Sequence, residues 1–275
     1  MPGGEPFEVT IKDEGVTLKG IYKEDKLIVS PVSVVKVDAS TGKVIPVADT
    51  EFRILDENKK PITMTTHYPN EVVHETFKTD KNGQFTLPEK LKYGTYYLEE
   101  VNAPDGYLKG ELLQFKVTEG ATWDHPLIVK YSDENVMGKI RIQKKDSETG
   151  EALANAVFDI VAAEDIVTPD GTIRLQKGEV AETLTTGKDG SAISKELFLG
   201  TYLVKETKQP DGYLLNKKEY EITLKYQDQE TPVVEAAVEI PNAPTKIQIV
   251  KTEKGTDKPI AGAKFQIWNK AMFEA

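Results

Sequence analysis

The stretch VSVVKVDASTGKVIPVADTEFRI, residues 32–54, decides the fold. Apolar residues alternate with polar ones as far as Lys36, a Ser-Thr-Gly turn follows, and an Ala-x-x-x-Phe-x-Ile run closes the stretch. A period of two, interrupted by turn residues, is the mark of half-buried strands. The same plan returns as KIRIQKKDSETGEALANAVFDI at residues 139–160 and as KIQIVKTEKGTDKPIAGAKFQI at residues 246–267. Taking Lys36, Lys144 and Lys251 as anchors, successive copies lie 108 and 107 residues apart. That period exceeds solenoid repeats and equals one small domain.

Later landmarks keep the same spacing. TDKNGQF at Thr79 matches TGKDGSA at Thr186, and YGTYYLEEVNAPDGYL at Tyr93 matches LGTYLVKETKQPDGYL at Leu199. The expected organisation is therefore residues 31–137 as module one, 138–244 as module two and 245–275 as the start of a third that stops after its second strand. Residues 1–30 are read either as the closing strands of a preceding module, because FEVTIK resembles YEITLK, or as an extra edge strand. Short strands at regular intervals, with Asn-Gly, Asp-Gly and Thr-Gly turns and no amphipathic helix, predict an all-β chain of tandem immunoglobulin-like sandwiches. The connectors are expected at residues 136–138 and 243–245.

Composition narrows the function. With 35 Lys+Arg against 45 Asp+Glu the net charge is −10, which argues against nucleic acid or anionic lipid as partner. No apolar run approaches the roughly 18 residues that cross a bilayer, and the first residues lack the pattern of an export signal, so no membrane insertion is expected. The chain has no cysteine, which removes disulfides, thiol nucleophiles and cysteine-based metal sites. His67, His74 and His125 lack metal-ligand spacing, and the acidic turn at Asp56 lacks the glycine and terminal glutamate of a calcium loop. No phosphate cradle or nucleophile elbow is present. Neither a metal nor a cofactor is expected, and nothing points to turnover of an external substrate. Tyr68 and Trp123 are candidates for a ligand surface, although isolated aromatics in strand-rich domains are usually packing residues.

Strand phase then singles out unusual charges. Val32, Val34 and Lys36 share one side, as do Ile140, Ile142 and Lys144. Tyr96, Leu98 and Glu100 are in phase, matched by Tyr202, Val204 and Glu206. In the last strands Val129, Tyr131, Asp133 and Asn135 are in phase, as are Val238, Ile240 and Asn242. Lys and Glu are almost never fully buried unless paired, so a pair on the core side of both modules needs a physical account. A strand-end salt bridge with an asparagine cap is the plainer one, and phase does not exclude it.

The boxes Tyr-x-Leu-x-Glu-x-x-Ala-Pro-x-Gly-Tyr at residues 96–107 and Tyr-x-Val-x-Glu-x-x-Gln-Pro-x-Gly-Tyr at 202–213, with Lys-x-Asp strands upstream, resemble the B-type repeats of the collagen adhesin Cna. These are also called SpaA-like or prealbumin-like domains and occur in Gram-positive surface adhesins and pilins. The resemblance implies a spontaneous isopeptide bond in each complete module, from the lysine amine to an asparagine carboxamide, assisted by a glutamate. Carried onto this sequence it assigns Lys36, Glu100 and Asn135 to module one and Lys144, Glu206 and Asn242 to module two. Lys145 and Glu99 have the outward phase. Asp133 remains a rival to Asn135; the nine residues that separate Asn135 from Lys144 and Asn242 from Lys251 favour Asn135. Lys251 has no downstream glutamate box or asparagine and is expected to stay an ordinary amine. The expected mass deficit is two ammonia molecules.

The resemblance further implies a stalk or backbone region of a cell-surface adhesin or pilin, extracellular and wall-anchored in its full-length form. Its partners would be adjacent modules of the same protein. The alternative is a module that recognises a host extracellular-matrix protein or glycan through its loops.

Overall fold

The structure is a computed structural model and describes residues 27–267. Strands and turns make up the described residues, as the period-two pattern predicts. Most of the N-terminal segment whose origin was left open, residues 1–26, lies outside them, as do residues 268–275.

The first module is built from β1 (Val29–Ser30), β2 (Val32–Asp38), β3 (Glu51–Leu55), β4 (Met64–Thr66), β5 (Val72–His74), β6 (Phe77–Lys78), β7 (Gln84–Thr86), β8 (Leu91–Lys92), β9 (Gly94–Asn102), β10 (Leu113–Val117) and β11 (Leu127–Asp133). One sheet runs β10-β9-β3-β6 and the other β11-β2-β7, with small pairs β1-β8 and β4-β5 beside them. Alternate residues of both sheets, among them Val34, Phe52, Ile54, Leu98 and Val129, fill a single core.

The second module repeats this plan with β12 (Met137–Asp146), β13 (Val157–Ala162), β14 (Ile166–Val167), β15 (Ile173–Leu175), β16 (Val180–Thr185), β17 (Ser191–Ile193), β18 (Leu197–Phe198), β19 (Gly200–Lys208), β20 (Tyr220–Leu224) and β21 (Val233–Asn242). Its sheets run β16-β13-β19-β20 and β21-β12-β17, with β18 also on β12 and a hairpin β14-β15. Met137 and Gly138, expected in the connector, are instead the first residues of β12, so only residues 134–136 join β11 to β12.

Two features of this topology position the charges. First, the opening and closing strands of each module lie side by side and parallel: β2 pairs β11 and β12 pairs β21. Second, the Asn-Gly and Asp-Gly turns pin each lysine's backbone. Lys36 N donates to Gly83 O at 2.9 Å and Lys144 N to Gly190 O at 2.8 Å. Both glycines have positive φ, and a Cβ would lie 1.9 Å from Ile45 O at Gly83 and 2.5 Å from Lys144 O at Gly190, so only glycine fits.

Residues 245–267 form no strand, contrary to the expected two; one bridge, Thr252 to Pro259, closes a turn. In the complete modules the first strand is held by a parallel last strand and an antiparallel neighbour. This segment contains neither, so Ile247 is 72% exposed and Lys251 is exposed.

Candidate functional site

Both lysines are wholly buried, and each stands beside the glutamate that phase selected. In module two the trio is Lys144, Glu206 and Asn242. Lys144 Nζ contacts Asn242 Oδ1 and lies 3.4 Å from Glu206 Oε1. The Asn242 amide nitrogen donates to Glu206 Oε1 at 2.9 Å and Oε2 at 3.1 Å. The amine thus faces the carboxamide on one side while the carboxyl group holds its nitrogen on the other. Burial pushes the Lys144 amine below its usual range, against the opposing pull of Glu206.

Module one differs in its third member. Lys36 Nζ lies 2.5 Å from Glu100 Oε1 and in contact with Asp133 Oδ1, all three side chains being buried. Asn135, assigned to this position from the sequence, instead donates from Nδ2 to Asp38 Oδ2 at 2.8 Å. The register explains the correction. Lys36 pairs Tyr131 and Asp38 pairs Asp133, just as Lys144 pairs Ile240 and Asp146 pairs Asn242. Asp133 is therefore the counterpart of Asn242. Asn135 bridges Tyr107 as Pro244 bridges Tyr213, which places it two residues beyond. The nine-residue rule failed because the segment from β11 to Lys144 is two residues longer than its counterpart after β21. The signal in the sequence was the last inward apolar residue: Tyr131-x-Asp133 matches Ile240-x-Asn242.

Asp133 accepts no conventional hydrogen bond despite its contact with Lys36. Burial pushes its carboxyl up to about 7, with Glu100 adding to the rise and Lys36 opposing it. The Lys36 ammonium position also lies 4.3 Å from the Tyr131 ring centre and 5.4 Å from that of Phe52. In module two Ile240 replaces the tyrosine, and the Phe158 ring centre lies 5.8 Å from Lys144 Nζ.

The glutamates are aimed by a device that periodicity does not reveal. Opposite Phe52 and Phe158 the pairing shifts by one residue, so Val101 and Thr207 bulge immediately after Glu100 and Glu206. A bulge bends the strand and re-aims its side chains. A backbone N–H ten residues on then fixes the outer oxygen: Gly110 N donates to Glu100 Oε2 at 2.8 Å and Asn216 N to Glu206 Oε2 at 2.6 Å.

The out-of-phase neighbours take other partners. Lys145 pairs Glu239 at 2.6 Å and Glu99 faces Arg53 at 3.4 Å, both on the surface. His74 shares a hydrogen bond with Thr66, and His67 lies 3.5 Å from Glu71. Among the described residues no three His, Asp or Glu side chains gather in a metal-binding group.

The prealbumin-like fold domain called SpaA matches residues 30–125 and again 138–239, more than half of the chain. The chain belongs to this family. Both lysines and both glutamates lie within the matched SpaA segments, while Asp133 and Asn242 lie beyond their ends. A curated relative, the trypsin-resistant surface T6 protein of Streptococcus pyogenes serotype M6, is 33% identical over 85 residues, which is 31% of this chain and 13% of that protein. Among solved structures, the TIE protein of Bacillus anthracis is 25% identical, covering 78% of this chain and 34% of that one, with a TM-score of 0.49. The minor pilin GBS52 of Streptococcus agalactiae is 16% identical, covering 82% of this chain and all of that one, with a TM-score of 0.33. The chain thus spans a small part of the T6 protein and about a third of the TIE protein. As a SpaA-family chain it carries two prealbumin-like fold domains in tandem.

Proposed function

We propose that this chain is a spacer in a Gram-positive surface adhesin or pilin, displayed outside the cell, in which each complete module welds its first strand to its last. In module two the neutral Lys144 amine attacks Cγ of Asn242. The new C–N bond replaces the old one, and Glu206 passes a proton to the departing nitrogen, which leaves as ammonia. In module one Lys36 attacks the protonated carboxyl of Asp133, Glu100 takes the amine's proton and returns it, and water leaves. Each step is a single turnover needing no cofactor. Holding amine and acyl carbon in one rigid core is worth up to ~7 to 11 kcal/mol of the barrier in favourable cases.

The observation that carries this reading is the Asn242 amide, held between a buried amine and a buried carboxyl group. Lys144 and Asn242 are 98 residues apart, and in the chain-entropy model a link closing such a loop stabilises by ~4.7 kcal/mol. Because it joins parallel end strands, it also lies directly between a module's two termini. Likeness to a trypsin-resistant surface protein agrees with such closure. Denatured intact mass is the test: one ammonia and one water short of the sequence mass is expected, and a full-length mass under oxidising and reducing conditions alike would refute it.

A second reading, recognition of a host protein or glycan by loops, has one observation in its favour. The β4-β5 hairpin exposes Tyr68 (91%) together with Val72 and Val73. Saturable binding that a Tyr68→Ala variant loses, while the mass deficit stays, would establish it.

A further inference from the structure

The buried Asp38 carboxylate sits at the end of module one nearest module two. Its Oδ1 accepts from Ser40 N (2.8 Å), Ser40 Oγ (2.6 Å) and Thr41 N (2.9 Å), and its Oδ2 from Tyr107 OH (3.0 Å) and Asn135 Nδ2 (2.8 Å). A sixth donor crosses from the other module: Arg174 Nη2 on β15, at 2.9 Å. This guanidinium is itself fixed. Its Nε donates to Thr168 Oγ1 at 2.9 Å, and it lies 4.5 Å from the ring centre of Phe198. Around it, Thr41 Oγ1 donates to Asp170 Oδ2 at 2.7 Å and Lys43 Nζ to Thr172 Oγ1 at 2.9 Å. Elsewhere along the joint, Ala103 N and Lys109 N donate to Gln229, and Leu108 packs on the core of module two.

We propose that the β14-β15 hairpin is a latch that docks on the aspartate turn of the module before it and removes the hinge freedom of residues 134–136. Linked domains move relative to one another by default unless their interface is extensive. Here the contact is small, but its centre is a buried, charge-assisted pair between a planar fork and a carboxylate that already has five other donors. Opening the joint would expose or strand both charges, a costly outcome for buried partners. The device is directional. Strands β4 and β5 of module one carry neither arginine nor lysine to play the part of Arg174. Asp146, the counterpart of Asp38, takes Tyr213 OH at 2.8 Å and no arginine among the described residues. The partner this hairpin fits is thus the aspartate turn of a like module that precedes it.

The absence of cysteine allows a clean test. Spin labels on Gln114→Cys and Thr185→Cys, exposed positions in separate modules, report the distance across the joint by pulsed electron paramagnetic resonance. The parent should give one narrow distance distribution. Arg174→Ala should widen it at least about twofold, as expected of a freed hinge, with Arg174→Lys between the two. A Thr41→Val, Lys43→Ala double variant, which leaves both cores intact, should widen it less. Unchanged widths in both Arg174→Ala and the double variant would overturn the latch. Intact mass of each variant should keep the parent's deficit, so failure of the latch and failure of crosslinking are told apart.

Discussion

The two buried centres share a lysine, a bulge-aimed glutamate and a backbone N–H on that glutamate, yet differ in the acyl partner and in the residue that faces the lysine. Module one offers a carboxyl group to a lysine that stands over the ring of Tyr131; module two offers a carboxamide to a lysine paired with Ile240. The shared parts are those that move protons and hold the amine. Under the proposed crosslinking the variable parts would set what leaves, so one scaffold would support two versions of the same condensation with different dependence on pH.

The largest effect should come from removing an amine. Lys144→Met, which removes the amine and keeps the bulk of the side chain, should restore one ammonia to the mass and lower the stability of module two by ~4.7 kcal/mol, read by calorimetry. Lys36→Met should restore one water in module one. Next, Asp133→Asn should change the species lost by module one from water to ammonia, which peptide mass mapping resolves. If that variant loses nothing, the equivalence of the two acyl positions is wrong.

Acidity should separate the centres further. Asp133 holds its proton up to about 7, so first closure of freshly made module one should slow as pH rises through that value, whereas the Asn242 carboxamide, as acyl partner, has no such proton to lose. Stability follows the same sign. A carboxyl group raised in the folded state binds more protons there than in the unfolded chain, between the usual carboxylate range and about 7. An open module one, as in Lys36→Met, should therefore melt at a higher temperature at pH 5 than at pH 8.

Smaller effects refine the comparison. Tyr131→Ile removes the ring 4.3 Å from Lys36 Nζ and should change the rate of closure of module one, whereas Tyr131→Phe keeps that ring and should leave the rate nearly unchanged. Smallest of all, Asn135→Ala should cost about 1 kcal/mol through its lost bond to Asp38 and leave the mass untouched.

The repeat, the all-β class and the inward lysines and glutamates were legible because alternation and turn residues are local signals. Lys36, Lys144, Glu100 and Glu206 each sit on an apolar face whose phase can be read within a few residues. Asp133 was misjudged because the count ran across a connector, where length is free to vary, and not along the strand, where it is not. The bulges at Val101 and Thr207 and the reach of Arg174 to Asp38 were invisible because they depend on pairing between distant segments. Position 240 carries the same lesson: Tyr131 and Ile240 fit equally as inward residues, and only their place opposite the lysine gives the difference meaning.

The parallel pairing of opening and closing strands has a consequence for the order of events in the living cell. β2 cannot settle beside β11, nor β12 beside β21, until almost the whole module has left the ribosome or the export channel, which makes these long-range topologies slow to fold. Under the proposed crosslinking the lysine would therefore wait unreacted while its unit is still being threaded, and the condensation could begin only once the final strand has arrived. Each weld would then act as a time-stamp of completed folding, laid down first in the unit that emerged first.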